Sequence, residues 1–278
     1  MMEFFFDGSL WAQAATNLAL ALFCLWLISV AIKDASIIDI FWGTGFIVIA
    51  WTVFAAVENP GALGFTLAVM TTLWGGRLTL YLAYRNLGHG EDYRYQQFRK
   101  DAGKWFPIRS LFTVYALQGS IALVVALPLV MSIAQPGLGV APFGYLGIAL
   151  FSVGFVFETL GDIQLMRFKA DPSNQGKVLN TGFWRYTRHP NYFGDAVVWW
   201  GLFIVALSAP GIWWTFIGPL FMNVLLLKVS GVALLEVNLK KTKPQYRAYI
   251  ESTNAFVPWF PKEVASAQAS DVAEPTNS

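Results

Sequence analysis

Arg185, Arg188, His189, Asn191 and Asp195 fall within the stretch Leu179–Asp195, LNTGFWRYTRHPNYFGD, which separates two apolar runs. Arginine grips a phosphate through two parallel hydrogen bonds, and asparagine with aspartate can hold a sugar hydroxyl or an amide. Keeping so many polar groups between greasy segments is costly unless something polar is bound there. Pro190 can open a helix whose free N–H groups face an anion. The stretch therefore reads as the anchor of an anionic cofactor. The plainer alternative, basic loops that fix topology and touch anionic lipid, suffices for Lys100, Lys104, Lys240, Lys241 and Lys243 but less well here.

A second dense stretch runs from Arg85 to Arg94, RNLGHGEDYR. Gly88 and Gly90 allow a close backbone approach, and Glu91, Asp92 and Tyr93 offer acid–base groups beside Arg94. A glycine turn leading into a charged helix N-terminus explains the same residues. Six more charged residues, Asp39, Arg77, Glu158, Asp162, Lys228 and Glu236, lie within or at the ends of apolar spans. Each would cost about 2.5–3.5 kcal/mol at mid-bilayer, so each needs a partner or a water-filled cavity. Glu158 and Asp162 are four residues apart, as are Asn191 and Asp195, which places each pair on one helix face.

The elements that position these groups follow from composition. The 278 residues are 56% hydrophobic and only 13% charged, against about 25% charged in globular chains. Apolar runs of about 20 residues, enough to cross hydrocarbon, are expected at roughly 14–32, 37–57, 61–86, 110–134, 142–168, 191–208 and 211–238. Pro60-Gly61, Pro136-Gly137 and Pro210-Gly211 mark short connections on one side. With the N-terminus outside, Lys and Arg fall on the cytoplasmic side apart from Arg77 and Lys228 inside spans, the positive-inside pattern. The acidic N-terminus, MMEFFFDGSLW, has no cleavable-signal character, so the first span is expected to stay. The expectation is an all-α polytopic membrane protein with seven transmembrane helices, whose cytoplasmic loops form a cofactor site. One domain would cover 1–264 and a disordered tail 265–278. The span tryptophans read as core and interfacial belt, with Trp42, one turn from Asp39, the exception.

Missing patterns narrow the chemistry. There is no G-x-G-x-x-G, Walker A loop, H-E-x-x-H or G-x-S-x-G. Two histidines, His89 and His189, and the single Cys24 cannot build a histidine-rich or thiolate metal site. No metal and no nucleic-acid partner is expected.

The segment Arg188-His189-Pro190-Asn191-Tyr192-Phe193-Gly194-Asp195 is followed by Ser230-Gly231 through Leu234-Leu235-Glu236. Then come Tyr246-Arg247-Ala248-Tyr249 and Phe256-Val257-Pro258-Trp259. With Trp74-Gly-Gly-Arg77, Arg85-Asn86, Gly90 through Tyr95 and Leu117-Gln118-Gly119, this set resembles the steroid 5α-reductase-like membrane family over about residues 30–262. The R-H-P-N-Y core alone also resembles motifs of sterol reductases and isoprenylcysteine carboxyl methyltransferases.

The resemblance implies a reductase that takes NADPH from the cytoplasm and a hydrophobic enone from the bilayer, in a bacterial inner membrane. The cofactor-binding residues it implies are Arg85, Asn86, Arg94, Asp162, Lys169, Lys177, Arg188, His189, Asn191, Tyr192, Asp195, Glu236 and Tyr246. The Gln-Glu pair by which animal steroid reductases address the steroid carbonyl is not found; Asp39 stands on the corresponding span and Trp74 or Tyr81 on the third. Asp39 is accordingly the expected acid, with Tyr81 or Tyr93 as second donor. A carboxyl in a dry apolar site can stay protonated and donate. The alternative reading is an S-adenosylmethionine-dependent methyltransferase acting on a lipid-soluble substrate, and a third is a transporter or lipid-binding protein without cofactor.

Overall fold

The computed structural model describes residues 8–229, 236 and 245–262. The tail expected at 265–278 and the stretch Ser230–Leu235 lie outside the described residues. Among those described, the chain is helical throughout, with no strand.

Helix α1 (Gly8–Ile32) turns through Lys33, which takes a left-handed φ of 58°, into α2 (Ile37–Ala56). Asp34 braces that turn by accepting from the Ser36 backbone N–H at 2.8 Å. Helix α3 spans Gly61–Asn86. After a glycine-containing loop, Asp92 caps α4 (Tyr93–Ala102) by accepting from the Arg94 N–H at 3.0 Å. Helix α5 (Phe106–Ser110) runs through a wider π-turn, Leu111–Ala116, into α6 (Leu117–Val125). Pro128 sits in the first turn of α7 (Leu127–Ile133), where its missing N–H does no harm. Helices α8 (Gly144–Ala170) and α9 (Pro190–Ala206) follow, then α10 (Ile217–Val224) and the short α11 (Tyr246–Ser252).

The three Pro-Gly connections meet at one end of the bundle, as the sequence predicts. Gly137 N–H donates to Asn59 C=O at 2.6 Å, and the Gln135 amide donates to Pro210 C=O at 3.2 Å. The polar loops gather at the other end, where Ala35 N–H donates to Glu91 across 56 residues of sequence.

Four helices are long and apolar enough to cross a bilayer: Gly8–Ile32, Ile37–Ala56, the continuous run Tyr93–Val125, and Gly144–Ala170. The other expected spans do not meet that test alone. The 26 residues of α3 interleave glycine and threonine with leucine and carry Arg77. Helix α9 has 17 residues, and the last run is broken at Trp213–Phe216 before it leaves the described residues. Leu20, Leu27, Leu73, Leu80 and Leu146 stand exposed on the helix flanks, an apolar surface of the kind that lipid or a partner covers.

Inside the bundle, Phe46, Trp74 and Trp199 are fully buried and lock α2, α3 and α9 together. Their rings meet edge to face at 4.7–5.5 Å, each pair adding about 0.5–1.5 kcal/mol beyond burial. Trp42 packs edge-on against Phe46 at 5.2 Å, so it belongs to this core. Helices α8 and α9 form the most extensive contact in the molecule, and glycines set it. A Cβ on Gly154 would stand 2.6 Å from Gly194 C=O, and one on Gly147 2.7 Å from Gly201 C=O. Backbones this close put whatever the two helices carry within reach of each other.

Candidate functional site

The antiparallel approach of α8 and α9 brings two sequence-distant polar pairs together. Asn191 donates its amide to Asp162 Oδ1 at 3.0 Å. Arg77, from α3, bridges both acids of α8: it pairs with Asp162 at 2.5 Å and with Glu158. Trp74, one turn earlier on α3, donates its indole N–H to Glu158 at 3.0 Å. Glu158 and Asp162 are each 3% exposed and Asp195 is 8% exposed. Asp195 Oδ1, Asn191 Oδ1 and Arg77 Nε have no hydrogen-bond partner. A buried polar atom costs about 1–3 kcal/mol when left unpaired, so three in one cluster mark a place prepared for something else.

Toward the polar end this interior cluster borders a rim. Half-buried Tyr192 lies within electrostatic reach of Arg85, Arg94, Asp162 and Asp195 together. Half-buried Tyr81 lies between Arg85, whose guanidinium stands 5.8 Å from its ring, and Asp162. Exposed Arg85 also donates to Asn86 at 2.9 Å. Lys169 and Lys177 are exposed at and beyond the end of α8, roughly 10 Å along the helix from Asp162 in the case of Lys169.

A second cluster knits the α1–α2 turn to α4. Asp39 accepts from the Tyr95 hydroxyl and pairs with Arg94, both at 2.6 Å, and Arg94 also holds Asp92 at 2.9 Å. Glu91 pairs with Arg99 at 2.8 Å, and the Arg99 guanidinium covers the Phe106 ring at 4.2 Å. Burial pushes the Glu91 carboxyl up, but the Arg99 guanidinium and the Ala35 N–H outweigh it and leave it below the ordinary glutamate range. Burial opposed by Arg94 does the same for Asp92. Asp39, the expected acid, is thus placed as an acceptor in an ion pair. Tyr93, the expected second donor, is 65% exposed at the start of α4.

A third cluster ties the C-terminal segment down. Buried Arg188 reaches Glu236 through Nε and Nη2 at 2.8 Å each, and its Nη1 donates to Ile250 and Thr253 carbonyls. His189 meets the same Glu236 oxygen at 3.2 Å and stacks on Tyr192. Tyr249 donates to Trp184 C=O, and Thr187 to Phe256 C=O at 2.8 Å. Burial and the Glu236 charge push the Tyr246 phenol up to about 12. Arg188, His189 and Glu236 therefore bind one another and tie down the segment 245–259, and Tyr246 packs beside them on Tyr249 in the wall behind Tyr192.

The structure brings Asp162, Asn191, Tyr192, Asp195, Arg85 and Tyr81 to one place, with Arg94 at its edge. Sequence reasoning noted Arg77 and Glu158 as buried charges without placing them in the site, and it counted Trp74 as a substrate-side position and Trp199 as core. The signal for Arg77 was present: an arginine in an apolar run needs a carboxylate partner, and Glu158 with Asp162 was the acid pair sharing a helix face. Two shallow cavities lie apart from this chemistry, one of about 310 Å³ lined by Asn180, Gln245 and Tyr249 and one of about 280 Å³ beside Arg185. Among the described residues no group of His, Cys, Asp and Glu is arranged to hold a metal ion.

A curated relative, "Uncharacterized protein C594.04c" of Schizosaccharomyces pombe, is 26% identical over 267 residues, spanning 84% of this chain and 75% of the relative. No solved structure matches the chain. A family described as "Protein of unknown function (DUF1295)" matches residues 25–253, from within α1 to just past α11. The chain belongs to the DUF1295 family.

Proposed function

We propose that this protein is a multi-pass membrane reductase that uses NADPH to reduce a conjugated carbon–carbon double bond in a hydrophobic, lipid-soluble enone. The observation that carries the reading is the convergence of Arg77, Glu158, Asp162, Asn191 and Asp195 in one buried cluster whose open polar atoms adjoin a rim of arginines. The motif resemblance supplies the reaction class.

The residues suit a dinucleotide phosphate on two counts. Its phosphates need cations on an accessible rim, and Arg85 and Arg94 stand there, with Lys169 and Lys177 exposed at and beyond the end of α8 as further candidates. Its carboxamide and ribose hydroxyls need fixed acceptors in a closed interior, and Asn191 Oδ1 is an unsatisfied one. When bound, NADPH supplies hydride. Arg77 holds Glu158 and Asp162 in place, and Asp162 in turn fixes the Asn191 amide so that its oxygen faces outward from the pair. Tyr81 and Tyr192 stand where a phenol could donate to a polarised carbonyl. We assign Asp39 the task of fixing Arg94 and Tyr95 at the rim, and Arg188, His189, Glu236 and Tyr246 that of fixing the wall behind Tyr192. In the bilayer we propose seven spans, with α3, α9 and the segment from α10 onward completing the four long apolar helices, the N-terminus outside and the polar end cytoplasmic.

Binding of NADPH, NADH and S-adenosylmethionine to the purified protein in detergent tests this directly. The expected result is preference for NADPH, weakened in Arg85→Ala and Arg94→Ala, together with NADPH oxidation in the presence of a lipid enone. Tight binding of S-adenosylmethionine with no NADPH oxidation by any enone overturns the assignment in favour of methyl transfer.

A further inference from the structure

The interior cluster has more acid than base. Arg77, from α3, pairs with Glu158 and Asp162 of α8, and Arg85 reaches Asp162 from the rim. Asp195, from α9, faces Glu158, yet no ion pair joins it to a cation among the described residues, and its Oδ1 has no hydrogen-bond donor. Trp199, fully buried one turn further along α9, and Trp74 of α3 turn their indole N–H groups toward Asp195. The other titratable groups nearby are the phenols of Tyr81 and Tyr192. Helices α7 and α10 carry none. The one charged residue of α2, Asp39, is engaged with Arg94 and Tyr95, and Arg94 of α4 reaches no further than Tyr192.

Two carboxylates facing each other in a dry helix interior cannot both remain ionised when the guanidinium beside them, that of Arg77, is already divided between Glu158 and Asp162. A proton on one supplies the donor that Asp195 Oδ1 lacks. We propose that Glu158 and Asp195 share one proton at neutral pH, so that the Arg77 cluster is a buried proton-binding site, and that this proton is the one consumed during reduction of the substrate double bond.

The second half rests on the reductase reading. Adding hydride to one carbon of a conjugated double bond brings both electrons and leaves negative charge on the enolate. The carboxyl store loses its proton to that centre, directly or through water, so the neighbouring carbon gains its C–H and the store is left as carboxylate. The carboxylate regains a proton from solvent before the next turnover. Glu158 and Asp195 together are in this sense the general acid of the reduction.

Infrared spectra of the purified, cofactor-free protein in lipid nanodiscs, compared between neutral and alkaline pH, test the site without reference to activity. The expected spectrum has a protonated-carboxyl band at neutral pH that gives way to carboxylate at alkaline pH and disappears in Glu158→Gln or Asp195→Asn. A wild-type protein without the band, or a band that persists in both variants, overturns the proton site, and the wild-type measurement stands even if a variant misfolds. With NADPH and a lipid enone, both variants should lower kcat by about 100-fold, and deuterated water should slow the wild type. Full activity in both variants overturns the delivery step. A wild type that oxidises no NADPH overturns the reductase reading and the delivery with it, leaving the infrared band to decide the proton site alone.

Discussion

The interior cluster around Arg77 and the rim cluster around Arg94 and Arg99 use the same side chains to opposite ends. At the rim, Glu91 pairs with Arg99 and Asp39 and Asp92 share Arg94, with the arginines about one-third exposed. Water screens these pairs and their job is to staple α4 to the α1–α2 turn. In the interior, three acids gather around one largely buried arginine that pairs with two of them, and polar atoms are left open. Acids that each hold an arginine at a surface are scaffolding; an acid left without one inside a helix bundle is where chemistry can be done.

That contrast can be broken by substitution. Arg77→Met should cost the most, about 3–5 kcal/mol, because it strands buried carboxylates; thermal unfolding in detergent reads the loss. Gly194→Ala comes next, at about 1–3 kcal/mol for overpacking, since a Cβ there would collide with the backbone nitrogen of Glu158. Trp74→Phe keeps the aromatic core but removes the donor to Glu158, for about 1–2 kcal/mol. Arg99→Ala should cost about 1 kcal/mol or less, and equal losses for Arg99→Ala and Arg77→Met would end the distinction between the regions.

The smallest effect is acid-dependent. Glu91 titrates lower in the folded protein than when unfolded, so its contribution is complete above the ordinary glutamate value of 4.5 and fades as pH falls through the lower folded value. Hydrogen exchange in α4 should rise over that acid window in the wild type, and an Arg99→Ala protein should show a weaker pH response.

The helices, the Pro-Gly turns at one end and the acid pair on α8 were legible in the sequence because hydropathy, turn chemistry and four-residue spacing are local properties. Pairings were not. That Arg77 meets Glu158 and Asp162 depends on α3 lying beside α8, which no local pattern specifies. Arg188 looked like a phosphate ligand because its neighbours in sequence are basic and polar; its donors go to Glu236 and to carbonyls more than 60 residues downstream, a destination set by how the segment 245–259 folds back. Length and hydropathy pick out four of the seven expected spans for a physical reason too: α3 is long enough to cross but carries the polar residues of the interior cluster.

The glycine seam between α8 and α9 has a consequence for variation in this fold. With carbonyls of one helix lying where the other's β-carbons would be, even a single methyl acts as a shim, prising the two rods apart and carrying Asn191 away from Asp162. Mutational drift should therefore be silent along the lipid-facing flanks and punished at Gly147, Gly154, Gly194 and Gly201, positions that touch no ligand yet set the gauge on which the acids are mounted.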